Sequence, residues 1–121
     1  MASVDELCLI DFGERHPGEP GSIRPALVIG PSPIFSQPDQ SDIELPFIVV
    51  VPLTTTYRGL PFHVELEATQ FNGLSETSFV QCELIRSVNR KRLIHRLGIL
   101  EPDPSHQVAA VIKTLLNYWP T

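Results

Sequence analysis

A chain of 121 residues is the size of one domain, residues 1–121, and folding should bury roughly two-thirds of the surface its unfolded form exposes. The net charge of −5 at pH 7 argues against general affinity for nucleic acid, and no run reaches the roughly 18 apolar residues of a membrane span. Charged residues, at 19%, fall below the rough quarter of soluble domains, which implies that a partner covers some surface.

Nine of the twelve prolines lie between Pro17 and Pro61, so the first half is expected to be strands and loops rather than long helices. The start MASVDELCL lacks the basic flank and apolar core of a signal peptide, and the expected compartment is the cytoplasm. Cys8 and Cys82, the only cysteines, are too few for a disulfide framework or a zinc site and read as two buried free thiols.

In chain order, ELCLID (6–11) and PALVIG (25–30) read as strands, separated by a Gly- and Pro-rich loop from Gly13 to Arg24. A second loop, Pro31 to Pro46, holds four prolines. FIVVVPL (47–53) is apolar on both faces and so central. It runs into Thr54, Thr55 and Thr56, and YRGLP then turns into FHVEL (62–66), whose alternation sets Phe62, Val64 and Leu66 against His63 and Glu65. These two runs read as a hairpin.

SFVQCELIRSV (78–88) and LIHRLGIL (93–100) bring the count to about six strands, joined by a basic turn. That turn belongs to a stretch, Arg86 to Arg96, with five cations and no acid, either a solvated turn or a surface for an anionic ligand. Val108, Val111, Ile112, Leu115 and Trp119 then recur at helical spacing, with Asp103 as the expected cap and Pro120 as the stop. The fold class expected is mainly β, a small antiparallel barrel closed by a C-terminal helix.

Three motifs, GEPGSIRPALVIG (18–30), VVVPLTTTYRGLPFHVEL (49–66) and ELIRSVNRKRLIHRLGIL (83–100), resemble in order and spacing those of the MazF/PemK (Kid) toxin family of bacterial toxin-antitoxin systems. The resemblance implies an SH3-like barrel of the CcdB/PemK type with a C-terminal helix, a homodimer, no cofactor, no metal and no membrane. It also implies a sequence-selective endoribonuclease acting on single-stranded RNA, and a MazE-like antitoxin whose disordered acidic segment lies across the toxin. The same fold serves CcdB-type toxins that poison a topoisomerase, and an inactive RNA- or antitoxin-binding module is a further alternative.

RNA is cut without metal when the 2′-OH attacks the neighbouring phosphate, giving a 2′,3′-cyclic phosphate and a 5′-OH. One group takes the 2′ proton, one protonates the leaving oxygen, and fixed donors stabilise the phosphoryl charge. Arg24 suits the last task, because its guanidinium offers forked donors and stays charged. Arg24 and Thr54 match the family's catalytic arginine and threonine, and Glu19 its loop glutamate.

Glu83 aligns with the acid of the PemK-like branch. That branch carries a histidine before the loop glutamate, but here Gly18 stands there and His16 lies two residues upstream. Leu84 replaces the family's usual Gln. Thr55, Tyr57, Arg58, His63, Arg86 and His16 are candidate RNA contacts, with Tyr57 or Phe35 available to stack on an unpaired base. At the amino end, Asp5 and Leu9 stand where the family typically has Gly and Trp.

Overall fold

The computed structural model describes residues 4–13, 17, 22–35 and 45–118. Seven strands form one bent antiparallel sheet: β1 (Glu6–Asp11), β2 (Ile23–Gly30), β3 (Phe47–Thr54), β4 (His63–Leu66), β5 (Ser78–Gln81), β6 (Arg86–Asn89) and β7 (Leu93–Ile99). Their order is β4-β5-β3-β2-β1-β7, with β6 also paired to β3. One helix, α1 (Pro102–Leu116), follows. The mainly β, SH3-like architecture with a C-terminal helix is as expected.

The valine-rich β3 is central because every neighbour needs it. It pairs β2 on one edge, and β5 and β6 on the other. Its apolar residues alternate between two cores. Leu7, Leu27, Val51, Leu53, Val64, Leu66 and Val80 belong to one cluster, behind the sheet, against which Val108, Val111 and Ile112 of α1 pack. Cys8, Ile10, Phe12, Ala26, Val28, Ile48, Val50 and Val88 form the other, in front, with Leu93 against it.

The expected hairpin between FIVVVPL and FHVEL does not form. β4 pairs β5 instead, and β5 lies between β4 and β3. The alternation in each strand was legible, but alternation sets faces and leaves the choice of partner open.

The segment expected as one strand, 78–88, is broken. A 3-10 turn at Cys82–Leu84 separates β5 from β6. Leu53 faces Val80 while Val50 faces Arg86, so Gln81 to Ile85 lie opposite only Val51 and Pro52. The extra residues bend the sheet. Pro52, with no N–H to donate, stands at this break, where a proline is tolerated in an otherwise central strand.

Two tight contacts complete the frame. The loop before β5 is tied by Asn72, whose side-chain oxygen accepts from the backbone N–H groups of Thr69 and Leu74, each at 3.0 Å. Its nitrogen donates to the Glu67 carbonyl at 2.8 Å. Gly73, at φ +71°, lies against the Leu97 carbonyl so closely that no side chain fits.

The departure at the amino end is accommodated at a cost. Asp5 has φ 73°, in the left-handed region that glycine enters freely and aspartate tolerates better than most residues. Its backbone N–H donates to Val28 and its carbonyl accepts from Leu100, both at 2.8 Å. Its carboxylate accepts from the Ser105 hydroxyl at 2.9 Å, anchoring the start of α1.

The helix cap is Glu101, with Pro102 in the first turn, rather than Asp103, which lies within that turn. The helix ends at Leu116 with Asn117 in a left-handed cap, ahead of Trp119 and Pro120, which lie outside the described residues. Val108 is its only buried residue, and Leu115 and Leu116 are exposed. Among the described residues no helix is long and apolar enough to cross a membrane.

Candidate active site

Alternation along strands and pairing between them bring the candidate residues to the front face. The β2–β3 ladder sets Ala26 opposite Pro52, Leu27 opposite Val51 and Val28 opposite Val50. The ladder ends at the first of these pairs, and Arg24 on β2 and Thr54 on β3 each lie two residues past it, on the same face. Arg24 therefore sits within β2 rather than in the preceding loop, paired on its other side with Ile10. Paired residues share a face, as do residues two apart. Thr54 faces Phe79, Phe79 faces Glu65, and Gln81 faces His63, so all of these continue the front face across β3, β5 and β4.

The front core runs out where these polar groups begin. Arg24 is half-buried, and its Nε is buried without a hydrogen-bond partner among the described residues. A buried guanidinium N–H without an acceptor is costly and calls for one. Thr54 is the last residue of β3, and its Oγ accepts from the Thr56 N–H at 3.2 Å. That contact orients the hydroxyl while leaving its hydrogen to donate elsewhere. The rigid apolar strand thus ends by orienting a hydroxyl.

Arg86 lies on the same face, with its guanidinium 5.6 Å from the centre of the Phe12 ring, a cation–π placement. Arg92 reaches the end of β1, donating to the Asp11 carbonyl at 3.3 Å. Others of the basic stretch are engaged elsewhere. Arg90 donates to the Leu45 carbonyl at 2.9 Å, and Arg96 pairs with Glu6 at 3.1 Å.

Beyond Thr54, Thr55 and Arg58 are exposed, as is Tyr57, whose ring centre lies 5.6 Å from that of Phe79. Tyr57, Arg58, His63, Glu65 and Phe79 line a small cavity of about 90 Å³. Phe35 is 66% exposed, so it is not held in the core.

Glu83 and His63 are brought together. Glu83 projects from the 3-10 turn that breaks the β5–β6 run, and His63 Nε2 lies 3.0 Å from each of its two carboxylate oxygens. The imidazole is buried. Its Nδ1 is buried without a partner among the described residues, and so is Oε1 of Gln81 directly across the strand pair.

Sequence reasoning passed over Gln81 and Phe79. The signal available was a lone glutamine between apolar neighbours in SFVQC, a polar group that only a site or a buried bond would keep. Glu19 and His16 lie outside the described residues.

Burial raises both thiols from 9.0 to about 11, Cys8 in the front core and Cys82 in the back core, each with a smaller contribution from a neighbouring glutamate. They are free and buried, as expected, and suit packing rather than nucleophilic attack.

Comparison with solved structures gives the same fold. MazF from Deinococcus radiodurans matches with a TM-score of 0.76 at 24% identity, over 97% of this chain and 97% of that one. The Mycobacterium tuberculosis toxin MazF-mt6 matches at 0.72 and 23%, over 94% and 99%. An endoribonuclease in complex with its cognate antitoxin, from a mycobacterial species, matches at 0.71 and 20%, over 99% and 100%. The family model described as PemK-like, MazF-like toxin of type II toxin-antitoxin systems matches residues 4–116, and the chain belongs to that family.

Proposed function

We propose that this toxin is an endoribonuclease of the mRNA interferase type. It cuts single-stranded RNA at a short sequence through attack by the 2′-OH, leaving a 2′,3′-cyclic phosphate and a 5′-OH. The observation that carries this reading is the buried Nε of Arg24, without a partner among the described residues, on the same face as Thr54 and, like it, two residues past the last β2–β3 pair. An RNA phosphate supplies the acceptor that Arg24 lacks, and Thr54 donates to the same group. DNA has no 2′-OH and is not a substrate for this chemistry.

Arg58 and Arg86 hold the RNA backbone, Tyr57 offers a base an exposed ring, and Thr55 lies beside them. Glu83 takes part in proton transfer, and Glu19 and His16 belong to the same proposal from sequence alone. None of these steps needs a metal. A cognate antitoxin neutralises the toxin, as a mycobacterial endoribonuclease of this fold is bound to its own. A homodimer accounts for the low share of charged residues and for exposed apolar side chains such as Ile34 and Leu116. The chain acts as one domain in the cytoplasm.

The test uses purified, antitoxin-free protein and its Arg24→Ala variant on a long unstructured RNA in EDTA, with fragment ends mapped. Cleavage by the parent alone at one short sequence, with 5′-OH ends, is expected. No cleavage by folded parent would sink the nuclease reading and favour a CcdB-like topoisomerase poison or a binding module.

A further inference from the structure

The structure assigns His63 a positioning role: its Nε2 fixes the carboxyl group of Glu83 in place for the proton transfer of the proposed cleavage. The inference rests on the nuclease reading and adds to it what holds that group. Its basis is the geometry of one contact. His63 Nε2 stands 3.0 Å from both Glu83 oxygens.

One ring nitrogen thus spans both oxygens of the group, which fixes the plane of the carboxyl as well as its position. The surroundings keep the ring in place. The imidazole is 3% exposed whereas the Glu83 side chain is 30% exposed, so the histidine is fixed in the protein while the carboxyl group is open to solvent. The Phe62 ring stands edge-on to the imidazole with centres 5.5 Å apart.

Placement supports the role. Glu83 lies in the break opposite Val51 and Pro52, just short of Thr54 on β3. His63 and Thr54 share the front face through Gln81 and Phe79. In the reaction, the 2′ proton passes to a Glu83 oxygen and the 2′ oxygen forms its bond to phosphorus. The bond from phosphorus to the 5′ oxygen breaks, its electron pair leaves with that oxygen, and water protonates it. Glu83 then returns its proton to solvent. Throughout, the His63 contact holds the group in place.

The experiment measures RNA cleavage by the parent, His63→Leu, His63→Gln, Glu83→Gln and the His63→Leu/Glu83→Gln double variant, with melting curves for each. Loss of the donor should lower kcat about 10- to 100-fold with KM within about threefold, since a misplaced base forfeits part of a general-base contribution. His63→Gln, whose amide nitrogen can reach the place of Nε2, should recover most of the rate. The double variant should be no slower than Glu83→Gln alone, because a residue acting through Glu83 has nothing left to act on.

Proton NMR of the parent should show a His63 Nε2–H protected from exchange, with the protection lost in Glu83→Ala, which removes the partner altogether, whether or not His63→Leu folds. A change in KM alone, an additive double variant, or an unprotected Nε2–H would overturn the inference while leaving the nuclease intact. A folded parent that cuts no RNA yet shows the protected proton would overturn the nuclease reading and, with it, this role.

Discussion

The front and back of the central sheet are made by the same strands, and the difference between them is which alternate residue each strand supplies. Behind, Leu27, Val51 and Leu53 stay apolar to the ends of their strands and are covered by α1. In front, Ala26, Val28, Ile48 and Val50 give way at one end to Arg24 and Thr54. One face is therefore committed to stability along its length, while the other gives up burial at its margin to hold polar groups still. The rigidity of the margin comes from the core two residues away on the same strand.

If that division holds, damage to the two faces should separate. Arg24→Ala should lower cleavage by about 100- to 1000-fold, the usual cost of one charge-stabilising donor, while the urea unfolding midpoint moves little. Leu27→Ala, behind the sheet at 0% exposure, should cost about 2–5 kcal/mol of stability in urea titrations, yet the protein that remains folded should cut RNA at close to the parent rate. A parallel loss of stability in the first variant, or of specific activity in the second, would erase the distinction.

Thr54→Val keeps the β-branched shape and removes the hydroxyl, so cleavage should fall about tenfold, the worth of one hydrogen bond of modest strength, with an unchanged melting temperature. The smallest effect concerns the thiols, one on each face. Burial raises each from 9.0 to about 11, so the folded state holds these protons more tightly than the unfolded one. Their contribution is complete below pH 9 and falls away as pH rises toward 11. Urea titrations across that range should show the decline, and a thiol reagent at pH 8 should label neither cysteine until the protein unfolds.

How much of this was legible in the sequence differs by kind of information. Alternation in FHVEL and the doubly apolar FIVVVPL placed strands within a residue or two of their observed bounds. Partner choice was not legible, because nothing local in FHVEL distinguishes pairing with β3 from pairing with β5. The break at Cys82–Leu84 was hidden for a similar reason: CEL carries no glycine or proline to announce it, and it forms because β5 and β6 satisfy different stretches of β3.

For the site, RPA and PLTT marked Arg24 and Thr54, and only the strand pairing shows that they share a face. His63 was legible as a polar-face residue. Its attachment to Glu83 depends on that unannounced break and could not be read from either residue alone.

The break also has a consequence for how the chain can change over generations. Side chains at Cys82 to Leu84 are free to vary so far as the turn is concerned, as Leu84 in place of the family's usual glutamine illustrates. The number of residues is not. A single codon gained or lost there, unless the turn absorbed it, would slide β5 along β3 by one position and turn Phe79 and Gln81 to the opposite side of the sheet. Within this segment substitution is therefore open at Leu84, while Cys82 is held by the core and insertions and deletions should be purged.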